Sequence, residues 1–308
     1  MTTANDYFDM SAAPLRIGTV RLKVRDLDAV STFYQSVLGL SPIETGNGRI
    51  TLGTGSTPLL ELAGDPSLSP LDPRQAGLFH TAFLMPTRAD LARWIAHVAE
   101  ARVPLQGASD HLVSEALYLA DPEGNGIEVY ADRPVSRWHG AGGEITMSTD
   151  PLDLQDLLKS AEGTEWSGFP EGGSVGHVHL QVGDTGQADR FYRDVLGLDI
   201  AARYPGASFY GSGGYHHQLA GNVWNSRRAG RRPEDMAGLD AVEIVVRDAA
   251  DIATIAARAA DGKGAFMVDD FAAMDDVLHR GFPVDQTFVY DDGLYQLGDY
   301  QEIGIAHV

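Results

Sequence analysis

The chain has 308 residues, enough for two domains that each bury a core, and its 44% hydrophobic and 21% charged content is that of a folded protein. With 23 basic against 43 acidic residues, the formal charge of -20 argues against nucleic acid or an anionic membrane as a partner. There is no cysteine, which excludes disulfides, thiolate metal sites and cysteine nucleophiles, so any metal must be held by His, Asp or Glu.

No stretch approaches the roughly 20 consecutive apolar residues of a membrane-spanning helix, and residues 1–14 lack a basic region followed by an apolar core, so a cytoplasmic location is expected. Residues 1–15 read as a flexible N-terminal tail. Ile17–Val24 alternates as a strand, and the stretch to Leu40 has helical periodicity that Gly39 can stop. Leu60–Gly64 is a further strand, followed by the strand Gly77–Leu84 and a helix over Arg88–Ala101. Ser114–Ala120 and Ile127–Tyr130 flank the turn Asp121-Pro-Glu-Gly-Asn-Gly126, which is hairpin chemistry. Residues 133–174, rich in Gly, Ser and Pro, read as a linker with one short helix over Leu152–Ala161, capped by Asp150 and started by Pro151. Val175–Val182 opens a second series that continues through Phe191–Leu198, the turn Gly211–Tyr215, the strand His217–Gly221, the strand Gly238–Val245 and a helix over Ala249–Ala260. Gln286–Tyr290 is strand-like within an otherwise divergent stretch, residues 263–308.

An internal repeat organises these elements. Ile17-Gly-Thr-Val-Arg-Leu-Lys-Val24 with Phe33-Tyr-Gln-Ser-Val-Leu-Gly-Leu40 recurs at the same spacing as Val175-Gly-His-Val-His-Leu-Gln-Val182 with Phe191-Tyr-Arg-Asp-Val-Leu-Gly-Leu198. The expected fold is α+β, four βαβββ modules in two domains, residues 16–132 and 175–308. The copies are unequally equipped. Thr19 and Arg21 stand where the third module has His177 and His179, Leu59 and Leu60 where it has His216 and His217, and Ala241 where the second has His80. Chemistry is therefore expected in the second and third modules.

Two features carry a resemblance. The modules, with their Phe-Tyr…Val-Leu-Gly-Leu helices, resemble the vicinal oxygen chelate (glyoxalase, bleomycin resistance, extradiol dioxygenase) superfamily. The spacing His111, Leu117-Tyr118, Asp121-Pro122, Gly124, Glu128 resembles the signature of type I extradiol catechol 2,3-dioxygenases, departing from it at Ser109. The resemblance implies a metal held by His80, Glu128 and His177, a facial set of two imidazoles and one carboxylate that suits Fe(II), with Mn(II) as the other candidate. It further implies His217 as the acid-base residue and His111 and Tyr118 as hydrogen-bonding partners of the phenolate oxygens. His216, His179, Asn222, Trp224 and Tyr130 are carried over as residues around the substrate, although Asn222 and Trp224 could equally pack. The site requires the second and third modules to meet, within one chain or between subunits of a homo-oligomer.

Other readings of the same residues stay open. His177, His179, His216 and Gln218 could form a rival cluster within the third module, and Glu61 and Glu243 occupy strand positions that could approach a metal. His97, His139, His279 and His307 are assigned nothing. The function implied is ring cleavage of a catechol-type aromatic by O2 beside the diol, with His217 delivering a proton. The alternatives are a metal-dependent glyoxalase-like isomerase or lyase, and a non-catalytic protein that binds a small aromatic molecule.

Overall fold

The structure, a computed structural model, describes residues 6–161, 163, 165–247, 249–259 and 288–290. The first module comprises β1 (Leu15–Val24), α1 (Leu27–Phe33), β2 (Ser41–Gly46), β3 (Arg49–Thr54) and β4 (Thr57–Gly64). The second repeats the plan with β5 (Gly77–Leu84), α2 (Arg88–Glu100), β6 (Gly107–Asp110), β7 (Ser114–Ala120) and β8 (Gly126–Asp132). A linker carrying β9 (Asp150–Pro151) and α3 (Leu154–Lys159) leads to the third, with β10 (Ser174–Gln181), α4 (Thr185–Arg190), β11 (Asp199–Tyr204), β12 (Ala207–Gly211) and β13 (Leu219–Asn222). Of the fourth, the described residues contain β14 (Gly238–Val246), α5 (Ala249–Arg258) and β15 (Phe288–Tyr290).

Local chemistry explains the repeat. Asp26, Thr87 and Asp184 each accept a hydrogen bond from the backbone N–H three residues on, the N-cap that starts α1, α2 and α4. The Phe-Tyr…Leu-Gly motif closes α1 with a π-turn over Tyr34–Leu38, and Gly39 follows at φ 73°. A Cβ at Gly39 would lie 2.7 Å from the Gly168 Cα, so both conformation and space require glycine there.

The modules pair across the chain. β1 runs antiparallel to β14 in a sheet ordered β15-β14-β1-β4-β3-β2, and β5 runs antiparallel to β10 in a sheet ordered β11-β12-β13-β10-β5-β8-β7-β6-β9. The second and third modules thus share one continuous sheet within a single chain. One apolar core, from Leu22 and Leu62 through Phe83, Trp94 and Val129 to Val178 and Tyr192, spans both sheets. Among the described residues no helix is long and apolar enough to cross a membrane.

Three expectations need correction. The linker helix begins at Leu154 under an Asp153 cap, because Asp150 and Pro151 are drawn into an edge strand opposite Ser109 and Asp110. From Asp6 onward the N-terminal segment is no free tail: Phe8 packs on Tyr215 with ring centroids 4.8 Å apart, and Asp6 accepts from Ser136. His216 and His217 precede β13 in a loop, so strand alternation does not set their directions. The reading of Gln286-Thr287 as strand, and of most of residues 263–308, lies outside the described residues.

Candidate metal centre and its cavity

β5, β8 and β10 lie side by side, and each brings one ligand-bearing residue to the same face. His80 Nε2 lies 2.9 Å from Glu128 Oε2, and His177 Nε2 lies 3.3 Å from the same oxygen; the three ligand atoms all fall within 4.8 Å of one another. Adjacent ligands about 2.1 Å from an octahedral ion stand about 3 Å apart, so the two shorter separations fit three ligands on one face of a metal. The His80 contact lacks hydrogen-bond geometry, and His80 Nε2 and His177 Nδ1 are buried without hydrogen-bond partners.

Electrostatics point the same way. Burial opposes ionisation of Glu128, but His177 and His80 outweigh it and hold its carboxyl well below the usual range. Burial pushes His177 down to about 4 against the pull of Glu128, and pushes His179 and His217 well below the ordinary imidazole value. The centre therefore presents a buried carboxylate among imidazoles, the donor types that ligate metal, and a buried charge of this kind needs a cation beside it. Pseudo-symmetry shows why the set stops at three. His177 corresponds to His80; on β5 and β8, Ala82 pairs with Glu128, and on β10 and β13 the matching His179 pairs with Ala220. Ala220 offers no ligand atom at the fourth corner.

The open side of the cluster faces a cavity of ≈ 710 Å³, within the size range of sites for organic ligands. A β-bulge shapes its floor: the β5–β10 register slips between His179 opposite His80 and Leu180 opposite Leu78, so Phe79 and His80 both face inward. Phe79, Phe209 and Trp224 form an apolar wall around His179.

A model of the Glyoxalase/Bleomycin resistance protein/Dioxygenase superfamily matches residues 16–129 and 174–285. The chain belongs to this superfamily. It is 38% identical over 276 residues to the catechol-2,3-dioxygenase of Bacillus subtilis (strain 168), covering 88% of this chain and 90% of that protein. It is 30% identical over 166 residues to biphenyl-2,3-diol 1,2-dioxygenase 2 of Rhodococcus globerulus, covering 49% of this chain and 85% of the relative. Among solved structures, a glyoxalase I variant from Zea mays shares the superfamily fold at TM-score 0.51 and 15% identity, over 83% of this chain and 84% of that one.

Within this superfamily fold, the other residues singled out from sequence divide clearly. His217, His111, Tyr118, His179 and Trp224 line the cavity with the three candidate ligands. His217 lies against His177, ring centroids 4.1 Å apart. His111 Nδ1–H donates to the Ser148 carbonyl at 2.6 Å, which leaves Nε2 to accept from Tyr118 O–H at 2.6 Å. His216, Asn222 and Tyr130 do not line the cavity, which corrects their placement around the substrate. His216 is fully buried and bonded to Asp132, Asn222 is fully buried with Oδ1 accepting from Trp224 N–H, and the Tyr130 hydroxyl bonds Tyr215. The rival cluster does not assemble either, since Gln218 is committed to the Ser212 backbone and His216 to Asp132.

Sequence reasoning missed two parts of the site. The linker supplies a wall, with Ile145, Met147 and Ser148 facing the cavity. In the sequence Asp132 reads only as the end of a domain. Its signal was the alternation Glu128, Tyr130, Asp132, which puts all three on one face of β8.

In the sister pair of modules the matching corner holds an ion pair. Arg21 is bonded into β4 opposite Glu61 and its Nε lies 3.2 Å from the Glu61 carboxylate, which also binds Arg49. Glu243 accepts from Thr19 N–H at 2.7 Å. Neither Glu61 nor Glu243 joins a histidine cluster among the described residues.

Proposed function

We propose that the protein is a non-haem Fe(II)-dependent extradiol dioxygenase that opens a catechol-type ring beside the diol with O2, with Mn(II) as the other metal candidate. The observation that carries this reading is the three-ligand cluster itself, His80, Glu128 and His177, with Ala220 at the fourth corner and its open side turned into the cavity. Three protein ligands leave room for a two-oxygen chelate and O2, whereas an isomerase site of the glyoxalase kind would use a fourth. The 38% identity to a catechol-2,3-dioxygenase supports the same chemistry.

When bound, Fe(II) supplies a Lewis acid for both catechol oxygens and an electron route from the ring to O2. The chain's own residues do the rest. His217, neutral in its buried setting, would accept a proton from a catechol hydroxyl and hold it for return as the ring opens. Tyr118 keeps its proton, because burial and the Glu128 charge push its hydroxyl well above the phenol range, so it serves as a donor toward a phenolate once its O–H turns from His111 Nε2. His111, fixed by the Ser148 carbonyl, orients that hydroxyl. Phe79, Phe209 and Trp224 cover the ring and exclude water from it.

The test is oxygen uptake. Protein reconstituted anaerobically with Fe(II) and then mixed with aerated catechol, 3-substituted catechols and 2,3-dihydroxybiphenyl should consume one O2 per ring and yield a yellow ring-opened product. No uptake with any of them would sink the proposal.

A further inference from the structure

Behind the cavity, a chain of hydrogen bonds ends on His217. Asp132 Oδ1 lies 2.9 Å from His216 Nε2, and His216 Nδ1 lies 2.8 Å from His217 Nδ1. Tyr215 O–H also donates to Asp132 Oδ1 at 3.3 Å and accepts from Tyr130 O–H at 2.8 Å. His216 has no solvent contact and is clamped by Tyr215, at a ring-centroid distance of 4.1 Å, and by Trp138, at 5.0 Å edge-on.

With His216 neutral, donor and acceptor rules leave one arrangement. A carboxylate only accepts, so the His216 proton sits on Nε2 and its Nδ1 is a lone pair. A lone pair facing His217 Nδ1 at 2.8 Å requires the proton on that nitrogen. The other nitrogen of His217, Nε2, is then an acceptor and faces the cavity. Resting on the acid-base role proposed above for His217, we infer that Asp132 and His216 are positioning residues that hold His217 in the tautomer able to take a proton from substrate. Neither touches the cavity; both act through His217.

The chain positions this relay economically. β8 carries Glu128 toward the metal centre and Asp132 to the relay on the same face, with Tyr130 between them. Gly176 on β10 makes room for that Tyr130: a Cβ there would stand 1.8 Å from the hydroxyl that bonds Tyr215. A change of the Asp132 carboxylate to an amide is the sharpest probe. An amide N–H aimed at His216 Nε2 forces the His216 proton onto Nδ1, which drives the His217 proton from Nδ1 to Nε2 and turns the cavity-facing acceptor into a donor.

Long-range 1H–15N correlation spectra of metal-free protein labelled at histidine report the tautomers directly. The expected result is His216 protonated on Nε2 and His217 on Nδ1 in the parent protein, with both inverted or mixed in D132N. Iron-loaded D132N and H216F should lose about 10²-fold or more in kcat, with iron content and catechol KM within about twofold. H216N, whose side-chain oxygen replaces the Nδ1 lone pair, should recover at least tenfold over H216F. A His217 protonated on Nε2 in the parent protein, or tautomers and kcat unchanged in D132N, would overturn the inference. Because the spectra need neither iron nor turnover, the expected tautomers in a protein without oxygen uptake would uphold the relay and refute the dioxygenase reading instead.

Discussion

Glu128 sets the terms for its neighbours: a buried carboxylate held ionised among imidazoles needs a cation, which makes the pocket a candidate metal site before any reaction is considered. His217 stands one ring away from that centre, and its replacement should separate binding from chemistry. The His217→Ala variant is expected to retain iron, by colorimetric assay, while losing about 10²–10⁴-fold in kcat at the oxygen electrode; loss of iron instead would make His217 a ligand. Gly176 offers a purely steric test. Gly176→Ala places a Cβ 1.8 Å from the Tyr130 hydroxyl, and overpacking of this kind costs about 1–3 kcal/mol, readable as a lower urea midpoint at unchanged m-value. At this scale the candidate ligands were legible because the repeat removes His80 in one copy, as Ala241, and His177 in another, as Thr19. The partner of His216 was not legible, since Asp132 comes from a strand far away in sequence, whereas Asn222 merely caps Trp224 two residues on.

The elements matter through their irregularities as much as their regularity. Strands Gly77–Leu84 and Ser114–Ala120 fall where alternation and turn residues place them, yet the slip that turns both Phe79 and His80 inward is a property of the β5–β10 pairing and has no local signal. The linker is the clearest case. Its Gly, Ser and Pro content reads as a connection, but β9 adds to the edge of the large sheet, and the Ser148 carbonyl fixes the His111 tautomer. A buried ion network ties it down: Glu115 on β7 takes Arg88 at 2.5 Å and Arg133 at 3.3 Å, and Arg88 reaches Asp156 of α3 at 3.0 Å. Removing the buried partner of such a network costs several kcal/mol, reduced here because both arginines keep solvent contact. Glu115→Gln should therefore lose about 2 kcal/mol in urea unfolding and raise the catechol KM by loosening the wall; unchanged values for both would remove the linker from the site.

For the whole molecule, the repeat predicted four modules of α+β type, and the site required the second and third to meet, but neither said whether they do so within one chain. One parallel strand pair within each module and antiparallel central strands between modules produce two sheets, and the pairing of the second module with the third assembles one cup inside one chain. In the other pair Arg21 sits beside Glu61 as a built-in cation, so the protein should bind one iron per chain, and a stoichiometry of two would contradict that assignment. The buried histidines also fix the acid response of the metal-free protein. His177, at about 4, and His179 and His217, also lowered, each bind fewer protons folded than unfolded, so stability rises with pH across this range and is lost as pH falls from about 6.5 toward 4. The melting temperature of the metal-free protein should fall over that interval; a flat profile would mean that these rings are not buried neutral. The most direct test of the account is an anomalous difference map at the iron edge from crystals grown anaerobically with Fe(II). The account predicts a single peak bounded by His80 Nε2, Glu128 and His177, open toward His217 and Tyr118; a peak on any other residues, or none in iron-loaded crystals, would contradict it.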